Sequence, residues 1–394
     1  ATPRRLPRPR RAGYGAGMST DTRFWHPFAD MAAVRSAEVV ITSGQGCEVT
    51  DAEGNRYFDG TASLWCVNVG HGREEIVEAA AAQMRDLASY SAFGAFTSRP
   101  ALALAERLAG YAEGVVDDPR IFFGLGGGDA IDTAAKLARR YFNAIGEPDR
   151  MHIIGRSQGY HGTHGLGTSI GGIPANQQGM GPLDPDTSHV PWDSLEALEA
   201  EFERVGAERV AAVFAEPVIG AGGVHRVPPT YLQGLQELCR RHGALFVSDS
   251  VIGAFGRLGT WYGADRFGLQ PDMITFAKGV TSGYLPLGGV VISGRVAEPF
   301  WDPESPSVWF RHGQTYSGHP TCCAAAMANL DIIEREGLLE RGRELEDEIA
   351  AALGTLQGAP LTGQIRAGIG ALGAVAFDPD ALAERPDLPL RLFA

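Results

Sequence analysis

Lysine is almost absent from this chain of 394 residues. Only Lys136 and Lys278 occur, so arginine supplies the other 32 of its 34 basic side chains. Arginine carries the same charge as lysine but cannot act as an amine nucleophile. A lysine retained in such a chain is therefore a candidate for chemistry that needs an amine.

A net positive charge, long apolar runs and paired cysteines are also missing. The net charge is −13, which argues against a nucleic-acid partner, and no apolar run reaches membrane-spanning length. The five cysteines form neither a CxxC pair nor a metal-binding pattern, which predicts a reducing compartment and no metal site. These absences favour a cytoplasmic protein, with neither nucleic acid nor membrane as a partner.

Residues 1–17 differ from the rest, with five arginines, three prolines and no apolar segment. A twin-arginine export signal requires a hydrophobic stretch to follow, and TDTRFWHPFADM is not one. We therefore predict a disordered basic tail.

Apolar strands alternate with amphipathic helices through most of the chain, after short strands within 36–60. The predicted strands lie at 121–123, 151–155, 209–215, 244–249, 273–277 and 288–293, and the predicted helices at 73–88, 99–112, 129–143, 194–206 and 229–242. Two long helices, 321–336 and 337–354, and a strand near 367–377 follow. This order predicts an α/β protein with a mostly parallel sheet covered by helices.

Ligands of such sheets bind at the carboxyl ends of the strands, and three of these ends carry informative residues. After strand 121–123 comes GLGGGDAID, a glycine-rich turn leading into a helix. Its free N–H groups and the positive helix end favour an anion such as phosphate. A plain glycine-rich turn without a ligand explains these residues equally well. Lys136 lies further along this helix, where we expect a solvated surface charge.

Asp249 and Lys278 follow two other strands. Asp249 is expected to be half buried and to need a cationic partner, although an ordinary turn carboxylate is the alternative. Burial of Lys278 would lower its pKa and leave an amine that forms Schiff bases with aldehydes. The alternative, a lysine that reaches the surface, fits less well in a chain that otherwise uses arginine.

An anion-binding turn, a carboxylate and an amine together fit pyridoxal phosphate, which carries a phosphate, a ring nitrogen and an aldehyde. A carboxylate beside the ring nitrogen keeps it protonated and strengthens the cofactor as an electron sink. We therefore expect pyridoxal 5'-phosphate as the cofactor.

From about Phe24 onward the chain resembles the class III pyridoxal-phosphate aminotransferases of fold type I, and among them the ω-amino acid:pyruvate (β-alanine:pyruvate) transaminases. The family segment D-E-V-x-x-G-F-G-R-T-G corresponds to DSVIGAFGRLG, which begins at Asp249, and a lysine follows 29 residues later, as Lys278 does. The resemblance implies a large cofactor-binding domain over 73–320 with a mostly parallel mixed sheet. It also implies a small α+β domain built from 18–72 and from 321–394, the start of its C-terminal part.

The resemblance assigns two catalytic residues and the ring contacts. Asp249 pairs with the pyridine nitrogen, and Lys278 holds the cofactor as a Schiff base. Val251 packs on one face of the ring and Tyr160 stacks on the other, and His161, next to Tyr160, is also implied to bind the cofactor.

The remaining assignments concern phosphate, substrate and partner subunit. The family's S-G-S-E-A phosphate turn falls on residues 126–130, among them Gly127 and Gly128. Thr315 in HGQTYSGHP matches a threonine that reaches the phosphate of the neighbouring subunit, which implies a homodimer with shared sites. The implied substrate-binding residues are Trp65, Glu216 and Gln314.

The implied reaction is a ping-pong transamination from an ω-amino acid or amine to pyruvate or another keto acid. Ala221 stands where the γ-aminobutyrate and ornithine enzymes carry a gating glutamate, which favours the pyruvate-using branch. Two alternatives stay open: a racemase or decarboxylase of the same fold, and a non-catalytic relative. The second is motivated by Gly128 in place of a serine, and by a chain that ends before the family's carboxylate-binding arginine.

Overall fold

The structure is a computed structural model that describes residues 22–35, 38–304 and 308–385. The predicted basic tail at 1–17 lies outside the described residues. The helices are α1 (Met31–Val34), α2 (Ala62–Trp65), α3 (Glu74–Leu87), α4 (Arg99–Ala112), α5 (Gly127–Ala144), α6 (Gly165–Ile170), α7 (Leu195–Val205), α8 (Tyr231–His242), α9 (Gly294–Trp301), α10 (Pro320–Arg335), α11 (Leu338–Gly354) and α12 (Pro379–Glu384). The strands are β1 (Ile41–Gln45), β2 (Glu48–Asp51), β3 (Arg56–Phe58), β4 (Arg120–Gly124), β5 (His152–Arg156), β6 (Thr187–Val190), β7 (Val210–Ala215), β8 (Leu245–Asp249), β9 (Met273–Phe276), β10 (Gly288–Ile292), β11 (Thr362–Arg366) and β12 (Ala374–Phe377).

A seven-stranded sheet forms the centre of the fold, in the order β4-β10-β9-β8-β7-β5-β6. Strand β10 is antiparallel to both of its neighbours, and every other pair is parallel. The strands from β7 to β10 are buried along their whole length, as expected where helices cover both faces. The predicted α/β fold with a mostly parallel mixed sheet is confirmed.

Two hydrophobic cores lie on the two faces of this sheet. Successive side chains of a strand point to opposite faces, so Phe246 joins one core while Leu245 and Val247 join the other. Helices α4, α8 and α10 contribute to the first core, and α5 to the second. The strand ends are thereby fixed between two packed layers, which gives the loops after them a rigid base.

Two smaller antiparallel sheets lie outside the central one. Strands β1, β2 and β3 form the first, and β11 and β12 form a hairpin. The single strand predicted near 367–377 is wrong in its first half, because 367–373 is a loop that turns through Gly368 and Gly370, both with positive φ. This loop bonds to another segment instead of a strand, through Ala371 N–H and the Arg257 carbonyl at 2.8 Å.

The sequence did not predict the edge strand β6 or helices α6 and α9. The domain boundaries at 72/73 and 320/321 stay predictions. Across the described ranges, every helix is too short or too polar to cross a membrane.

Candidate active site

Eight of the eleven predicted site residues line one cavity of about 180 Å³. They come from the start of α5, from the segments after β5 and β7, and from the ends of β8 and β9. The eight are Gly127, Gly128, Tyr160, His161, Glu216, Asp249, Val251 and Lys278. Residues distant in sequence therefore meet at the carboxyl ends of the strands, where such sheets bind ligands. A larger groove of about 550 Å³ beside β4 and α9 includes none of them.

The glycine-rich turn lies between β4 and α5. Because α5 begins at Gly127, its first N–H groups have no partner within the helix. A Cβ atom on Gly127 would lie 2.8 Å from Cγ1 of Val251, and one on Gly128 would lie 3.3 Å from Cδ2 of His164. A side chain is therefore excluded at Gly127, whereas a small one at Gly128 would fit closely against His164, and in the present sequence the helix end stays open to an anion.

Asp249 ends β8 and is more deeply buried than the sequence predicted, with 5% of its surface exposed. Its Oδ2 atom lies 2.7 Å from Nδ1 of His161. Its Oδ1 atom accepts from the Val251 N–H at 3.1 Å and from the Thr275 hydroxyl at 3.2 Å. These donors supply the hydrogen bonds that a buried carboxylate needs, so its orientation is fixed.

Lys278 follows β9 and has a left-handed backbone conformation, with φ of 49°. Such a conformation costs a non-glycine residue about 1–3 kcal/mol and persists only where neighbours enforce it. Here Asn329 Nδ2 donates to the carbonyls of Gly279 and Val280, at 2.9 and 3.0 Å. Burial lowers the pKa of the Lys278 amine, and the charge of Asp249 opposes this shift. The predicted buried amine is thus present, and it lines the cavity.

Glu216 is a second buried carboxyl group in the cavity, with 4% of its surface exposed. Its oxygens accept from the N–H groups of Tyr160 at 3.0 Å and Gly220 at 2.8 Å. Burial and the neighbouring charge of Asp249 raise the pKa of Glu216. The hydrogen bond from the Tyr160 N–H to Glu216 holds the Tyr160 backbone in place.

Three predicted site residues do not line this cavity in the part of the chain that the structure describes: Trp65, Gln314 and Thr315. Trp65 packs against a hydrophobic cluster that includes Ile252, a lining residue of the cavity. Gln314 bonds to Ser317, and Thr315 is exposed. The roles of these three residues stay predictions.

Sequence reasoning missed Ile131, Ile252 and Thr275. Thr275 pairs in register with Asp249 on the neighbouring strand and is fully buried. A single polar residue in the apolar segment MITF was the available signal. The two isoleucines look like ordinary core residues, and only the fold places them in the cavity wall.

The cavity residues fit pyridoxal phosphate. A glycine cradle at a helix N-terminus suits a phosphate, a fixed buried carboxylate suits a ring nitrogen, and an amine of lowered pKa suits an aldehyde. Within the described chain the buried Nε2 atom of His161 has no hydrogen-bond partner. A polar group bound in the cavity would explain that unpaired atom.

Known proteins resemble this chain over most of its length. The family profile of the class-III aminotransferases matches residues 31–389. A probable aminotransferase of Mycobacterium tuberculosis is 41% identical, over 92% of this chain and 79% of its own. The putrescine–pyruvate aminotransferase of Pseudomonas aeruginosa is 38% identical, over 89% and 79%. The β-alanine–pyruvate aminotransferase of the same organism is 36% identical, over 90% and 83%.

Solved structures agree with these relatives. An (S)-enantioselective ω-transaminase from Thermomicrobium roseum superposes with a TM-score of 0.87 at 39% identity, covering 93% of this chain and 85% of that one. An amine transaminase from an uncultivated Pseudomonas species, solved in its pyridoxal-phosphate-bound form, gives 0.85 at 38% identity, covering 89% and 83%. These findings confirm the resemblance seen in the sequence, and none supports a racemase, a decarboxylase or a non-catalytic relative.

Proposed function

Because the chain belongs to the class-III aminotransferases, which use pyridoxal phosphate, we propose that it moves the amino group of an ω-amino acid or primary amine to pyruvate or another keto acid. The observation that carries the proposal is the meeting of Lys278, Asp249 and the N-terminus of α5 in one cavity. The relatives named for β-alanine, putrescine and pyruvate support this substrate class.

Pyridoxal phosphate would be held through its aldehyde by the amine of Lys278 and, once the donor amine replaces Lys278 there, would supply an electron sink for the carbon that carries that amine, leaving Nζ free. The lowered pKa of Lys278, caused by burial, increases the fraction of neutral amine. Its Nζ atom takes the proton from the substrate carbon as a general base and later returns it as a general acid.

Asp249 would hold the ring nitrogen. Its carboxylate is fixed by His161, Thr275 and the Val251 N–H, so it needs no reorientation as charge develops during the reaction. The first N–H groups of α5, at Gly127 and Gly128, bind the phosphate.

Tyr160 and Val251 line the cavity and would cover the two faces of the ring. Glu216 keeps Tyr160 in position through its backbone N–H. Trp65 and Gln314 contact the substrate, together with Glu216. The small side chain of Ala221 leaves room where the γ-aminobutyrate and ornithine enzymes carry a glutamate.

The active form is a homodimer in which Thr315 completes the partner's phosphate site. Thr315 is exposed and stands beside Tyr316, which is 58% exposed. The ring of Phe93, 54% exposed, lies close to Gly313 on the same surface. Exposed aromatic residues grouped in this way are typical of protein–protein contacts. The net charge of −13 is compatible with the cytoplasmic location that we propose.

The test of the function is alanine formation from pyruvate with β-alanine, putrescine or a benzylic amine as donor. Each donor alone should first convert the visible absorbance band of the holoenzyme to that of the amine form of the cofactor. A holoenzyme that forms no alanine with any of these donors, at millimolar concentrations, would refute the substrate class. Racemisation of an amino acid without a keto acid would point to the rival activity.

The shared site has its own test. Light scattering should give twice the mass of one chain, and Lys278→Ala subunits mixed with Thr315→Ala subunits should recover activity. The mixed dimer has one site with both variant residues and one site with neither. Mixing that recovers nothing, from two variants that both dimerise, would contradict the assignment of Thr315.

A further inference from the structure

We propose that Asp59 and His71 form a positioning pair that holds the loop of residues 60–66, the Trp65 loop, and so decides which amines the enzyme accepts. The inference rests on the proposed function, in which Trp65 contacts the donor. Neither Asp59 nor His71 lines the cavity. Both are therefore positioning residues that act through Trp65.

The Trp65 loop has an unusual backbone. Ala62, Ser63 and Trp65 all have positive φ, at 48°, 61° and 57°. Helix α2 spans these residues, but the dihedral angles of Ser63 and Leu64 are not helical. L-residues rarely adopt such angles, and three within four positions require contacts that enforce them.

The contacts come mainly from Asp59. Its Oδ2 atom accepts from the Ser63 N–H at 2.7 Å and lies 2.9 Å from Nε2 of His71. Its Oδ1 atom lies 3.2 Å from the Thr61 hydroxyl, which also reaches the Ser63 carbonyl. Burial raises the pKa of Asp59, but the hydrogen bonds from His71, the Ser63 N–H and Thr61 together hold this pKa below its ordinary value. Asp59 is therefore a charged acceptor that fixes the middle of the loop.

His71 is fixed in turn by the end of strand β1. Its N–H donates to the Gly46 carbonyl at 2.8 Å, and its carbonyl accepts from the Gly46 N–H at 3.0 Å. A Cβ atom on Gly44 would lie 2.9 Å from Cγ of His71. The His71 ring therefore packs against strand β1, which fixes the position of Nε2 beside Asp59.

The next residues connect this pair to the elements that carry the catalytic groups. The Tyr284 hydroxyl donates to the Gly70 carbonyl at 2.9 Å and accepts from the Arg73 N–H at 2.7 Å. Asn68 donates to the carbonyl of Phe255 at 2.9 Å. Tyr284 belongs to the segment after Lys278, and Phe255 to the segment after Asp249. The residues that follow the Trp65 loop are therefore bonded to the segments that follow both catalytic residues.

The side chain of Trp65 is held in position by this arrangement. It packs on the cluster containing Val218, Ile252 and Leu258, and Ile252 lines the catalytic cavity. A shift of the loop would change the volume of the cavity beside Ile252 but would leave Lys278 and Asp249 in place. Loss of the pair should therefore alter the KM for the donor and the preference between small and bulky amines, with a much smaller effect on kcat.

The experiment uses four variants of the holoenzyme. His71→Leu and Asp59→Ala break the pair, whereas His71→Gln keeps an N–H donor near the position of Nε2. Arg56→Ala is the matched control, because it removes an exposed ion pair with Glu48 from the same sheet. Asp59→Asn replaces Asp59→Ala or His71→Leu where either fails to fold.

Two quantities are measured. The first is kcat and KM with β-alanine and with 1-phenylethylamine, using pyruvate as acceptor. The second is the rate at which a small disulfide reagent modifies Cys66, identified by peptide mapping. Cys66 is partly buried at the end of the loop, and burial raises the pKa of its thiol. It should react slowly while the loop is held, because the thiolate is the reactive form.

His71→Leu and Asp59→Ala should each increase the KM for β-alanine and the rate of Cys66 modification by about tenfold. A factor of this size is expected when a hydrogen bond to a charged group is lost. His71→Gln and Arg56→Ala should stay close to the wild type. An unchanged KM and an unchanged Cys66 rate in His71→Leu would overturn the proposal, and so would His71→Gln behaving like His71→Leu. If the wild type accepts no amine, the proposed function fails while the Cys66 rates still decide whether the pair holds the loop.

Discussion

Nδ1 of His161 lies 2.7 Å from Oδ2 of Asp249, and at most 5% of either residue is exposed. In this position His161 is the side chain that fixes the direction of the Oδ2 atom. The loss of a hydrogen bond to a buried charged group commonly costs about 1.5–3 kcal/mol. His161→Phe should therefore lower kcat/KM by about 10- to 100-fold, and cofactor should dissociate faster.

His161→Asn, whose amide can replace Nδ1, should retain most of the activity. Steady-state kinetics and cofactor release on dialysis check this, and equal losses in both variants would assign His161 to packing alone.

Lys278 and Lys136, the two lysines of the chain, give a matched pair of variants. Lys136 is exposed on α5, as the sequence predicted, whereas Lys278 lines the cavity. Lys278→Ala should abolish turnover and the visible band of lysine-bound cofactor, and Lys136→Ala should change neither. Borohydride reduction of the holoenzyme followed by peptide mapping should place the cofactor on the Lys278 peptide. Turnover by Lys278→Ala near the wild-type rate would show that the assignment is wrong.

Gly128→Ser should strengthen phosphate binding. It restores the hydroxyl that the resemblance places in this turn, and the atoms nearest to a Cβ at Gly128 belong to the His164 ring, at 3.3 Å and beyond, which a small shift of that ring accommodates. A hydrogen bond to a charged group contributes about 1.5 kcal/mol or more, so the cofactor should dissociate about tenfold more slowly. Gly128→Ala, which adds the Cβ without the hydroxyl, is the control and should not show this gain. Fluorescence-monitored cofactor release separates the two, and no difference between them would place the phosphate elsewhere.

The buried amine of Lys278 should make the stability of the apoenzyme depend on pH. Burial lowers the pKa of Lys278 below its ordinary value of 10.5. Between the folded-state pKa and 10.5, the unfolded chain binds a proton that the folded chain has released. The free energy of unfolding therefore rises with pH across this window, by at most about 1.4 kcal/mol per pH unit for one group.

Lys278→Met provides the reference for that prediction, because it removes the titrating group and leaves the others in place. The difference in unfolding free energy between wild type and variant, measured by urea titration from pH 7 to 10, should increase in favour of the wild type. A flat difference would show that the amine keeps its ordinary pKa in the apoenzyme.

The sequence was most informative where one local pattern decides the structure. Lys278 and Asp249 were found because each directly follows or ends a short apolar strand, and ligand sites of such sheets occur there. The glycines before α5 were found for the same reason. The loop at 367–373 was mistaken for strand because its Ala371 N–H bonds to the Arg257 carbonyl and its Gly370 N–H to Glu346, contacts that no local pattern encodes.

The bond between His161 and Asp249 and the pair of Asp59 with His71 were also missed. Each joins side chains from different elements, and such contacts exist only after the sheets have assembled. The positive φ angles of Ala62, Ser63 and Trp65 were equally hidden, since these residue types normally avoid that conformation. Depth of burial at Asp249 was underestimated because sequence position gives the end of a strand but not what covers it.

The antiparallel strand β10 has a consequence for how the protein is made. Gly288 pairs with Gly124, which lies 164 residues earlier, and a Cβ on Gly288 would lie 2.6 Å from the Gly126 carbonyl oxygen. The turn that cradles phosphate is thus braced by a strand that leaves the ribosome long after the turn itself. Long-range pairings of this kind form late and slowly, so a nascent chain exposes the edge of β4 until β10 arrives. Cofactor binding becomes possible only after β10 has been made, and it then stabilises a sheet whose last central strand has just been added.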